Sequence, residues 1–142
     1  MGSTSNLTDG IVLVLKGHLL LEEVLYQVVY SKCPNPEYVD RANLRFFQLL
    51  NIARALHPIP PDDSARKMTT PELWDAMEAL NTLRNQLAHK LEPKDLSPLL
   101  KRLKVGTFPE PVTLGNPAIV DSLGTSIAFL LGFAAAMAYS PK

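Results

Sequence analysis

Apolar residues recur at steps of three and four along most of the chain, and no stretch makes a convincing strand. The pattern predicts helices only. A first helix covers residues 9–31, with Ile11, Leu15, Leu25 and Val29 in one apolar row. Pro34 and Pro36 in KCPNPEY end it. A second covers 38–56 and stops before HPIPP, whose three prolines forbid helix. After the polar loop DDSARK a third opens at TTPEL. There Thr69 or Thr70 can cap, Pro71 suits the first turn, and Glu72 follows Thr69 by three residues. This helix ends near Leu91, before Pro93. A short fourth helix covers 95–103, the Pro- and Gly-rich loop KVGTFPEPVTLGNP follows, and a last helix covers 118–139. The expected fold is all-α, a bundle of four long helices and one short one. Residues 1–8 are expected to be a disordered start, and residues 9–142 one helical domain.

Three polar residues break the apolar rows. On a wheel of the third helix, Leu73, Met77, Leu80, Leu87 and Leu91 form one stripe, and Arg84 falls between Leu80 and Leu87. Asp75, Glu78, Thr82, Gln86 and Lys90 hold the solvent side. The pattern therefore turns Arg84 inward, where a guanidinium needs a carboxylate, carbonyls or a bound anion. Asn81, Asn85 and His89 recur at steps of four beside the stripe, a polar strip suited to a cleft or to contact between helices. In the first helix His18 and Glu22 interrupt the apolar row, while Lys16, Glu23 and Gln27 face solvent. The expectation is that Glu22 pairs with Arg84 across the bundle. The plainer readings are a purely structural pair, a satisfied core histidine at His18, a packing or hydrogen-bonding role for Asn81, and a His89 that only serves the end of its helix. Arg41, Arg45 and Arg54 on the second helix can form a basic edge, but read first as solvated surface, and Trp74 reads as core.

Charge narrows the function. Fourteen Lys and Arg balance fourteen Asp and Glu. A protein that meets nucleic acid through a broad basic surface is usually strongly basic, so any such contact here is local. The one cysteine, Cys33, excludes a disulfide scaffold and suits a reducing, cytoplasmic compartment. Three scattered histidines give no metal-ligand spacing, and no phosphate-binding glycine loop is present. No metal and no cofactor is expected. The apolar tail, residues 127–139, falls short of the roughly 20 residues of a membrane span and reads as a helix of a domain or dimer core.

The string Arg84-Asn85-Gln86-Leu87-Ala88-His89 has an arginine, four residues and a histidine, with Asn directly after the arginine. It resembles the motif of the HEPN superfamily (higher eukaryotes and prokaryotes nucleotide-binding), and LNTLRNQLAHKLEP looks like prokaryotic members. The similarity extends loosely to GHLLLEEVL and to the apolar last helix. The resemblance implies an all-α, dimeric, metal-independent RNA endonuclease of a toxin, phage-defence or stress system, with an antitoxin or regulatory protein as a further partner; no membrane partner is expected from the short apolar tail, membrane association through the last helix being the lowest-ranked reading. It implies Arg84 at the scissile phosphate and His89 at the 2′-OH or leaving oxygen. Asn85 and Asn81 would bind or orient substrate, and Glu22 would support the arginine. Leu91 stands where some toxin members carry a tyrosine that a partner enzyme modifies, so that regulation is not expected. The chain also looks somewhat like the mannitol operon repressor family, which implies a non-catalytic regulatory or protein-interaction module.

Overall fold

A computed structural model of the chain describes residues 3–57, 70–90, 95–106 and 112–139. Among these every regular element is helical, so the fold is all-α. The elements are α1 (Ser3–Lys32), α2 (Glu37–Ala42), α3 (Phe46–Leu56), α4 (Thr70–His89), α5 (Ser97–Arg102) and α6 (Pro117–Ala138). Leu91, Pro93, Thr69 and the prolines of HPIPP lie outside the described residues.

The central element is α1, which packs against α6, α3 and α4. It starts at Ser3, so residues 3–8 continue the helix expected to begin at Asp9. With neighbours on several sides, its buried positions are Gly10, Val14, Gly17, His18, Leu21, Leu25, Val28 and Val29. Leu15, expected inside, is 43% exposed. Glu22 is half-buried and Glu23 exposed, as the pattern required.

The expected second helix is two helices. Asn43 ends α2 in the left-handed region at φ 51°, donating its N–H to the Asp40 carbonyl at 3.2 Å. Asparagine is one of the few residues besides glycine that visit this region readily. Arg45 is then extended, and its N–H donates to Gln48 Oε1 at 2.9 Å, which starts α3 afresh. No glycine or proline marks this break, so hydrophobic spacing ran through it.

Apolar residues of all six helices except α2's ends meet in one core, with Trp74 edge-on to Phe133 at 5.8 Å. A fully buried side chain of this size contributes about 1.5–3 kcal/mol. A bidentate contact holds α5 to α4: Arg102 donates to the Asp75 carboxylate through Nε at 3.1 Å and Nη2 at 2.8 Å. Lys104, just past α5, forms an ion pair with Glu72 of the same helix α4. Asn116 caps α6, its Oδ1 accepting from the Ala118 N–H at 3.0 Å, with Pro117 at the first position. By length and composition α6 is apolar enough to cross a membrane. One face of it, Ile119, Leu123, Ile127, Leu130, Ala134 and Met137, is buried in the core.

Candidate functional site

Where α1, the start of α3 and the second half of α4 converge they leave an open cleft of about 490 Å3. From α1 it is lined by Leu15, His18, Leu19 and Glu22, from α3 and its cap by Arg45, Phe46 and Phe47, and from α4 by Asn81, Arg84 and Asn85. Five of the six polar residues singled out in the sequence, all but His89, therefore meet here.

Arg84 is exposed, which corrects the inward placement expected from the wheel. Its neighbours Leu83 and Leu87 are buried, and so are Leu80 and Met77 one and two turns earlier. The stripe is apolar and packed in its first turns. At Arg84 the same stripe faces the open cleft instead of a helix. Arg84 Nη1 donates to Asn85 Oδ1 at 3.3 Å. The expected ion pair is not formed: Glu22 lines the cleft with Arg84, but no contact within salt-bridge distance joins them. Glu22 acts at longer range, where it and Arg84 push the His18 imidazole in opposite directions.

His18 is the buried polar residue of the cleft floor, 8% exposed. Its Nε2 shares a hydrogen bond of 2.9 Å with Asn81 Oδ1. Asn81 Oδ1 can only accept, so this nitrogen donates and the Asn81 amide hydrogens are left to other partners. The ring lies parallel to Phe46, with centroids 4.2 Å apart. Burial is the largest influence on His18 and holds its pKa below the ordinary imidazole value. The Asn81 bond and the Glu22 charge oppose that shift, and Arg84 adds to it. The imidazole is thus neutral at neutral pH and serves as an anchor for Asn81. This is the satisfied core histidine of the plainer reading.

His89 stands apart. It is the last residue of α4, exposed, and not among the residues that line the cleft. It points about 140° away from Arg84 around the helix and sits about 7.5 Å further along the axis. Within one chain the structure brings Arg84, Asn85, Asn81 and Glu22 together and leaves His89 out.

Two cleft residues were not legible as such. Arg45 read as solvated surface or a basic edge, and Phe47 was not singled out within the helix expected over 38–56. Comparison with protein-family models, with curated proteins and with solved structures finds no match to this chain.

Proposed function

We propose that the protein is a metal-independent RNA endonuclease of HEPN type, active as a dimer and serving a toxin, phage-defence or stress system in the cytoplasm. The observation that carries this reading is the exposure of Arg84 on a cleft, with most of its guanidinium donors unengaged. A purely structural arginine would be buried with its donors satisfied.

The chemistry needs little else. RNA carries its nucleophile in the 2′-OH. That oxygen attacks the adjacent phosphorus, the bond from phosphorus to the 5′ oxygen breaks, one proton leaves the 2′-OH and another reaches the departing oxygen. Arg84 stabilises the charge that builds on the phosphoryl oxygens. Asn85 and Asn81 orient the phosphate, and His89 moves the proton. Since His89 lies outside the cleft of its own chain, this reading requires a second copy to bring its histidine to Arg84. The apolar outward face of α1, with Val12, Leu15, Leu19 and Leu20 between 43% and 55% exposed, supports such a contact.

The same position of His89 favours a second reading, a non-catalytic regulatory or protein-interaction module resembling the mannitol operon repressor family. One experiment separates the two. Cellular RNA is incubated in EDTA with the native protein, Arg84→Ala and His89→Ala, with helicity checked by circular dichroism. Cleavage by the native protein is expected, falling by about 10²-fold or more in Arg84→Ala and in His89→Ala. A purified, folded dimer without activity on any RNA would discard the nuclease and leave the binding module.

A further inference from the structure

Arg84 is not the only cation on the cleft. Arg45 enters it from the opposite wall, on the cap of α3, and is exposed. Two arginines thus share the cleft with a single carboxylate, Glu22. Phe47, beside Arg45, presents its ring to the same space and is 51% exposed. The backbone that carries these two side chains is held by the residue between them. Phe46 is only 3% exposed and is clamped by its parallel contact with His18. The backbone of Arg45 is fixed by the bond from its N–H to Gln48 Oε1. Phe46 is buried, and both its neighbours are exposed.

An arginine and an exposed aromatic ring on a preorganised turn, facing a second arginine, match the chemistry of a nucleotide strand. Guanidinium groups take successive phosphates, and an aromatic face stacks a base of any identity. Resting on the reading of Arg84 as a phosphate-binding residue, we infer that the α3 wall is the strand-holding side of the cleft. Arg45 anchors a phosphate next to the one at Arg84, and Phe47 stacks an unpaired base between them. The site therefore takes single-stranded RNA and excludes the duplex, whose bases are already stacked on each other.

The test uses binding, which does not depend on turnover. A short, fluorescently labelled single strand with 2′-O-methyl groups throughout lacks the nucleophile and cannot be cut. Its affinity is followed by fluorescence polarisation in EDTA over a range of salt. Arg45→Gln is expected to weaken binding about fivefold and to lower the slope of log K against log salt by about 0.7, the share of one phosphate on a single strand. Phe47→Leu is expected to weaken it about tenfold at unchanged salt slope, while Phe47→Tyr retains it. Each variant should melt like the native protein, since both side chains are exposed. Native-like binding by folded Arg45→Gln and Phe47→Leu would overturn the inference, and if the native protein still cuts RNA the nuclease reading survives it. The same holds if these variants change the oligomeric state but not the affinity, which would assign this wall to a protein contact. A native protein that neither cuts RNA nor binds the strand would remove both.

Discussion

His18 shows how one residue's setting becomes a measurable property. Its pKa, like that of His57, is lowered chiefly by burial, with Lys32 adding to the effect at His57. A histidine with a lowered folded pKa binds its proton less readily in the native state than in the unfolded chain. Its contribution to stability is whole above the unfolded value of about 6.5 and is lost as pH falls through the folded value. The melting temperature should therefore drop as the pH is taken from about 7.5 to about 5, with His18→Gln and His57→Gln each dropping less than the native protein over that interval. The slope is the readout, because His18→Gln also disturbs the Phe46 stack. An unchanged slope in both variants would show that neither imidazole titrates there. The sequence marked His18 and Glu22 as anomalies in an apolar row because polar residues at core spacing need partners. It misdirected the pairing, since a wheel gives directions around one helix and not distances between two. Glu22 and Arg84 face the same space without meeting, and the partner of His18 is Asn81.

At the scale of elements, close packing between α1 and the α6 side depends on two glycines. A Cβ on Gly10 would lie 2.6 Å from the Leu114 carbonyl oxygen, and one on Gly17 would lie 2.8 Å from Ile127 Cγ2. On an open helix surface the same change is favourable, since Ala is about 1 kcal/mol better than Gly in a helix. Gly132 on α6 is such a position, with nothing within 4 Å of its added Cβ. Overpacking costs about 1–3 kcal/mol and outweighs propensity where the neighbour cannot move. Gly10→Ala is therefore expected to lower stability in chemical denaturation, as it meets backbone. Gly17→Ala should lower it less, as the Ile127 side chain can shift, and Gly132→Ala should raise it by about 0.5–1 kcal/mol. A stabilised Gly10→Ala would refute the close approach of Leu114 to α1. Most helix ends were readable because prolines and caps punctuate them, as at Asn116-Pro117. The break at Asn43 was not, because its signal is a backbone conformation that Asn tolerates and does not announce. The face of α1 was misread at Leu15 because its buried arc is set by the helices around it, which one-dimensional spacing does not contain.

At the scale of the whole molecule the question is whether one chain suffices. Arg84 and His89 point to different sides of α4, and only Arg84 lines the cleft. Four large apolar side chains on the outward face of α1 remain in water, each at a cost that grows by about 25 cal/mol for every Å2 left exposed. If the nuclease reading holds, a two-fold contact across that face has to bring His89 of each copy to Arg84 of the other. Leu20→Glu, which lies on that face but outside the cleft lining, should then convert a sedimenting dimer into a folded monomer and abolish cleavage with it. A stricter test mixes two inactive proteins. If each site takes arginine from one copy and histidine from the other, a heterodimer of Arg84→Ala with His89→Ala holds one intact site and one doubly broken site. Random exchange makes half the dimers mixed, so about a quarter of native activity should return. If instead arginine and histidine of the same chain form each site, every site in the mixture is broken and no activity returns. Recovery near a quarter would establish a shared site, and its absence in a mixture shown to exchange subunits would refute the contact between copies as the source of the histidine.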